Sequence, residues 1–191
     1  DDIDTLEPIP QITTQLIEIA QDPGSALKDA AVLITHDATL TANLLRTVNS
    51  AHFGLRRRFE SVQEAVVMLG LNTIMDLVLL QATAGRLKAA QVGYDLSAGE
   101  LWRHAAVSAI LARKIAERIE ADNVNRIFTC ALLKDIGKLV LNQHVHAAGA
   151  DIQRLVCQDE YCFIDAEREV LGIDHAELGG RIAERWNFTP E

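Results

Sequence analysis

Apolar positions along the chain of 191 residues recur at intervals of three and four rather than alternating, the spacing that lines one face of an α-helix. After Pro8 and Pro10, Ile12, Leu16 and Ile19 mark a first helix that Asp22-Pro23-Gly24 should stop. Ser25 is placed to cap a second with Leu27, Ala31 and Ile34, and Asp37 or Thr39 a third with Leu40, Leu44, Leu45 and Val48, ending near Gly54. Ser61 with Glu64 forms a capping box ahead of Val62, Ala65, Val66 and Leu69. Gly70 then permits a turn into a more apolar helix from Leu71 to about Leu87.

Residues 88–97, with Gly93, form the best candidate junction between two lobes. A long helix follows from about Ala98 to Ile119, with Leu101, Ala105, Ser108, Ala112, Ile115 and Ile119 expected on its inner side and Val107, Ile110 and Leu111 broadening that side. The next is predicted to run unbroken from about Asn123 through Lys134 to Leu141, with Gly137 allowing a bend or close approach. Segments 147–158, 163–171 and 174–186 complete the pattern, with Gly172 as a stop and Asp174 as an N-cap. The expected fold is all-α, about ten helices in two packed lobes, residues 1–95 and 96–191.

Hydrophobic residues make up 49% of the chain, enough for a real core, yet no apolar run approaches the roughly 18 residues of a membrane-spanning helix. No membrane insertion is expected. The net charge of −9 would repel a phosphate backbone, which argues against direct nucleic-acid binding. Cys130, Cys157 and Cys162 are odd in number and lack zinc-ligand spacing, and the first residues carry acids rather than the basic and apolar stretch of a signal peptide, so buried, unreactive thiols in a reducing cytoplasm are expected. The acidic start and the abrupt end at Trp186-Asn187-Phe188-Thr189-Pro190-Glu191 read as a piece of a longer protein, truncated at its C-terminus.

Several separated segments carry a resemblance. The first lobe contains Ile9-Pro10, His36-Asp37-Ala38-Thr39-Leu40-Thr41, Val48-Asn49-Ser50-Ala51-His52-Phe53-Gly54 and Ala65-Val66-Val67-Met68-Leu69-Gly70. The second contains Leu101-Trp102-Arg103-His104, Lys134-Asp135-Ile136-Gly137-Lys138, Gly172-Ile173-Asp174-His175-Ala176-Glu177-Leu178-Gly179 and Trp186. In this order they resemble the signatures of HDOD domains, a bacterial signalling module similar in fold to the HD phosphohydrolases. Catalytic HD proteins bind a divalent metal through a leading histidine, a His-Asp pair and later ligands, and the metal activates water.

The resemblance maps His104 to the leading histidine, Asp135 to the aspartate of the pair and His175 to a later ligand, while Lys134 stands where the pair's histidine belongs. A neutral imidazole offers a metal a lone pair, whereas an ammonium has only donors. Deprotonating a lysine side chain of ordinary pKa near 10.4 at neutral pH costs roughly 4–5 kcal/mol, before any repulsion from the metal. The expectation is therefore a degenerate site, with no catalytic residue and no cofactor. The favoured reading makes His104 a hydrogen-bonded histidine between helices, Asp135 a carboxylate satisfied by a helix end or a nearby cation, and His175 part of the Asp174 cap region. A sharper one puts the Lys134 ammonium where a metal would sit, paired with Asp135 or another acid. Weak metal binding by His104, Asp135 and His175 stays open.

Other polar residues rank lower. His36-Asp37 is read as a helix start, and His144 and His146, two apart, as surface histidines. Arg56, Arg57 and Arg58 form a basic loop that could grip a phosphate or a partner's acids, with Arg46 nearby, against the plain reading of a solvated loop. Asn49 and Ser50 are suited to satisfying a helix end, and Phe53 to anchoring the loop. Trp102 and Trp186 are assigned to packing. The resemblance implies a non-catalytic regulatory or output module whose partners are signalling proteins or fused receiver, kinase or cyclic-di-GMP turnover domains. A homodimer is left open. The competing expectations are a divergent metal-dependent phosphohydrolase acting on nucleotides or cyclic dinucleotides, and a nucleotide sensor without turnover.

Overall fold

The computed structural model describes residues 11–21, 27–50 and 58–186. Eleven α-helices and one short 3-10 helix lie among them, with no strand beyond an isolated bridge between Gln91 and Leu96. No single helix among the described residues is long and apolar enough to cross a membrane. Two compact units are present, one formed by Ile9–Thr83 and the other built from Ala84 onward.

The first unit holds α1 (Gln11–Gln21), α2 (Leu27–Thr35), α3 (Ala38–Val48), α4 (Val62–Leu69) and most of α5 (Leu71–Leu87). Helix α2 packs against α1, α3 and α4, and Leu16, Ala30, Ile34, Leu44, Val48, Val66 and Ile74 fill the space between. Asp37 caps α3 by accepting from the Leu40 amide at 2.9 Å, which makes the His36-Asp37 pair a helix start. Ser61 caps α4 through the Glu64 amide at 3.1 Å, while the Glu64 carboxylate accepts from the Glu60 amide at 3.1 Å. Helix α3 stops at Val48 rather than near Gly54. Its Asn49 turns aside to grip the backbone of Phe59, donating to the carbonyl at 2.9 Å and accepting from the amide at 2.7 Å. The proposed stop at Asp22-Pro23-Gly24, the Ser25 cap, and Phe53, Arg56 and Arg57 lie outside the described residues. Arg58 is exposed, and Arg46 donates to Asn43 Oδ1 at 2.6 Å.

The second unit contains the 3-10 helix Val92–Tyr94, α6 (Glu100–Arg118), α7 (Val124–Leu133), α8 (Lys138–Ala147), α9 (Gly149–Gln158), α10 (Phe163–Leu171) and α11 (His175–Arg185). Its edge falls inside α5, ahead of the 88–97 segment and of the 95/96 boundary expected from sequence. That segment packs on α8: the Gly93 amide donates to Asn142 Oδ1 at 2.9 Å, and a Cβ on Gly93 would lie 2.2 Å from the Asn142 carbonyl oxygen.

Two expectations change here. The helix predicted to run unbroken through Lys134 is two helices, α7 and α8, joined by a turn in which the amides of Ile136 and Lys138 bond the carbonyls of Leu133 and Asp135 at 2.9 and 3.0 Å. Lys134 and Gly137 keep helix-like dihedrals, so no proline or left-handed residue betrays the break. Helix α6 is also turned from the expected orientation. It buries Leu101, Ala105, Ala106, Ala109 and Ala116, while Val107, Ile110, Leu111, Ile115 and Ile119 are exposed. The alanines face α7, whose Phe128 and Leu132 are buried, and small side chains let two helix axes approach closely.

Candidate functional site

The turn between α7 and α8 carries Lys134 and Asp135, and Lys138 begins α8. Gly137 is held where a Cβ would stand 2.1 Å from the His175 carbonyl oxygen and 2.9 Å from the Gly179 amide nitrogen. Only glycine fits, so the start of α11 comes close to the turn. Asp174 fixes that start, its Oδ1 accepting from the amides of Ala176 and Glu177 at 2.8 Å each and its Oδ2 held by Arg168. Burial would push the Asp174 carboxyl up, but the Glu177 amide, the Arg168 guanidinium and the Ala176 amide outweigh it and hold the group below its usual range. His175 is thereby presented as the first residue of α11.

Asp135, with a side chain only 4% exposed, is the hub. Its Oδ2 is paired with Lys134 Nζ and lies 3.4 Å from His104 Nε2, while its Oδ1 lies 2.8 Å from Lys138 Nζ and 3.5 Å from His175 Nε2. The Lys134 ammonium also reaches His104 Nε2, at 2.9 Å, and so bridges the two groups. Burial alone would push the Asp135 carboxyl up, yet hydrogen bonds and charge from Lys134 and Lys138 hold it below the ordinary carboxylate range. Four sequence-predicted residues, His104, Lys134, Asp135 and His175, therefore converge from α6, the α7–α8 turn and α11.

Behind them lies a layer that the sequence did not disclose. Glu167 of α10 is 0% exposed; its Oε2 accepts from the His175 backbone amide at 3.0 Å and faces His175 Nδ1 at 2.5 Å, and its Oε1 accepts from the Tyr94 hydroxyl at 2.5 Å. With Nδ1 turned to Glu167, the Nε2 edge of His175 faces Asp135. Burial and the neighbouring Glu167 raise the Tyr94 hydroxyl far above its usual value, keeping it a neutral donor. Lys138 Nζ lies 5.4 Å from the Tyr94 ring centre, a cation–π contact.

A divalent ion of the kind held by HD phosphohydrolases would require lone pairs from His104, Asp135 and His175. Both Asp135 oxygens are hydrogen-bonded by ammonium groups, and one of these also takes the His104 ring nitrogen. Such an ion would have to displace the Lys134 ammonium from Asp135 Oδ2 and His104 Nε2, so the donors as arranged do not fit it. No group of three or more His, Cys, Asp or Glu side chains among the described residues is disposed to hold a metal.

The sequence pattern of the HDOD domain matches residues 6–191. The chain belongs to the HDOD domain family. This HDOD chain is 30% identical over 202 residues to an uncharacterized protein of Treponema pallidum (strain Nichols), an alignment covering 97% of the chain and 36% of that protein. It superposes with a TM-score of 0.78 on the crystal structure of an HDOD domain protein of unknown function from Geobacter sulfurreducens, at 27% identity over 96% of this chain and 61% of that one. A crystal structure from Shewanella amazonensis SB2B, provisionally named a phosphohydrolase, gives a TM-score of 0.73 at 29% identity, covering 98% and 66% of the two chains.

Elsewhere in this HDOD chain, His144 and His146 are exposed on α8, as expected. The cysteines correct an expectation: Cys130, Cys157 and Cys162 are all exposed, Cys130 on α7 and the other two around the end of α9. Cys162 donates to Asp165 Oδ2 at 2.9 Å. Trp186 is buried, and Lys88 Nζ lies 5.1 Å from the Trp102 ring centre. Among the missed residues only Lys138 left a signal, since three residues past Asp135 at a helix start is the reach of an i, i+3 pair. Tyr94 and Glu167 are 73 positions apart and nothing local links them.

Proposed function

We propose that this HDOD domain is a non-catalytic regulatory or output module of bacterial signal transduction that works through protein contacts, in the cytoplasm, with residues 6–191 acting as one domain. Membership of the family supports the signalling role. The observation that carries the non-catalytic reading is Lys134, whose ammonium lies against Asp135 Oδ2 and 2.9 Å from His104 Nε2. A tethered cation supplies the positive charge that this constellation of donors would otherwise draw from solution. It supplies no polarised water, because an ammonium has no open coordination position.

In this reading the cluster is an internal tie. Asp135 and Glu167 join α6, the α7–α8 turn, α10, α11 and the 3-10 helix through charge and hydrogen bonds, and an input that shifts one of these elements is passed to the others. The partners are signalling proteins or fused receiver, kinase or cyclic-di-GMP turnover domains. Arg58, with Arg56 and Arg57 beside it in sequence, is a candidate contact for a partner's acids or phosphate.

The competing reading is a divergent metal-dependent phosphohydrolase. It is favoured by the convergence of His104, Asp135 and His175 and by the provisional name of the Shewanella amazonensis protein. Incubation with nucleotides and cyclic dinucleotides in added manganese or magnesium separates the two. The regulatory reading expects no turnover, and turnover abolished by Asp135→Ala would replace it with the hydrolase.

A further inference from the structure

Helix α6 buries its small residues and exposes its large ones. Val107, Leu111, Ile115 and Ile119 follow one another at i, i+4 in a single row with Ile110 beside it, and these five side chains are between 43% and 69% exposed. Solvent-facing helix surfaces ordinarily carry the polar residues, so a continuous aliphatic row of this length marks a contact surface.

From Arg103 to Arg118 the exposed charges beside the row are mainly basic. Arg103 lies four residues before Val107, Lys114 three after Leu111 and Arg118 three after Ile115, spacings that keep all three on the same side of the helix, and all three are exposed. Of the two acids of α6, Glu100 accepts from the Ser97 amide at 2.5 Å, and Glu117, its side chain 56% exposed, lies 3.9 Å from Arg113, so three exposed basic side chains outnumber one exposed acid along the helix. On a chain of net charge −9 this basic border runs against the average. A second copy laid on the same face would set basic side chains against each other.

We propose that this face of α6 docks one amphipathic helix of a partner protein, with aliphatic residues at three- and four-residue spacing flanked by Asp or Glu. The inference deepens the protein-contact reading above and rests on it for the partner's being a protein. His104 lies three residues before Val107, so a helix seated on the row ends beside the exposed edge of the Lys134–Asp135 cluster. Docking would then bury that edge, coupling partner binding to the internal tie.

The test is a fluorescence-anisotropy titration of the whole chain with two labelled synthetic peptides of about 20 residues, the length of α6. Both carry Leu at three- and four-residue spacing, one flanked by Glu and the other by Lys. The Glu peptide is expected to saturate, with the Lys peptide at least about tenfold weaker. Ile115→Asp should abolish binding, and the double variant Lys114→Glu, Arg118→Glu should reverse the preference. All three positions are exposed, so circular dichroism and melting should match the wild type. Equal affinity for both peptides, or binding untouched by Ile115→Asp, would overturn the proposal. So would a wild-type dimer in sedimentation that Ile115→Asp dissolves, or co-flotation with phosphatidylglycerol vesicles in place of peptide binding. Failure of the peptide titration leaves the non-catalytic reading standing, whereas turnover that needs Asp135 removes that reading whatever the peptides do.

Discussion

His175 hangs from Glu167: one carboxylate oxygen, Oε2, takes both the backbone amide of His175 at 3.0 Å and its ring Nδ1 at 2.5 Å. The grip fixes the first residue of α11 and the rotation of its ring together. The other oxygen of Glu167 is satisfied by Tyr94, so a side chain that is 0% exposed has no idle acceptor.

Truncating Glu167 should therefore cost far more than an average substitution. Glu167→Ala strands the Tyr94 hydroxyl, the His175 amide and the ring Nδ1 in the interior, a loss of about 3 kcal/mol or more. Glu167→Gln keeps the volume and one acceptor but presents an amide donor to groups that are already donors, and should fall between. Urea unfolding should rank wild type, Glu167→Gln and Glu167→Ala in descending order. Equal stability of all three would show that the grip contributes nothing.

Asp135 should make part of the stability pH-dependent. Lys134 and Lys138 overcome the effect of burial and hold its folded pKa below the ordinary value of 3.8. A carboxyl lowered on folding stabilises fully above its unfolded pKa and loses that contribution as pH falls through the lower folded value. The stability difference between wild type and Asp135→Asn should be about 2 kcal/mol at neutral pH, less than for a fully buried pair because Lys134 is 44% exposed. It should hold steady down to about pH 5 and shrink below about pH 4. Unfolding curves at a series of pH values check this, and a difference that grows toward acid would be the wrong sign.

Two glycines should respond oppositely to alanine. Gly137 abuts the His175 carbonyl at a calculated Cβ distance of 2.1 Å, and that neighbour is backbone, so Gly137→Ala must push α11 away and should cost about 2 kcal/mol or more. Gly180 lies within α11 with nothing inside 4 Å of its would-be Cβ, so Gly180→Ala should stabilise by roughly 0.5–1 kcal/mol. Melting temperatures of the two variants, moving down and up respectively, would confirm the close crossing at the turn.

Helix starts with their own chemistry were legible: Asp37, Ser61 and Asp174 each cap the helix predicted for them, and Gly172 closes α10. The break between α7 and α8 was not, because its residues keep helix-like backbone angles and bracket no proline. The orientation of α6 is not legible, because alanines and large aliphatics are equally apolar in a periodic pattern and only packing against α7 distinguishes them. At the site, His104, Lys134, Asp135 and His175 were found through family motifs. Tyr94 and Glu167 belong to no motif, and only the fold brings them together.

If Lys134 supplies the cation that these donors would otherwise take from solution, manganese titrated by calorimetry into the purified wild-type chain should show no saturable binding. Lys134→His, which restores an imidazole beside Asp135, should gain it. One tightly held ion per wild-type chain would show instead that the donors draw their cation from solution.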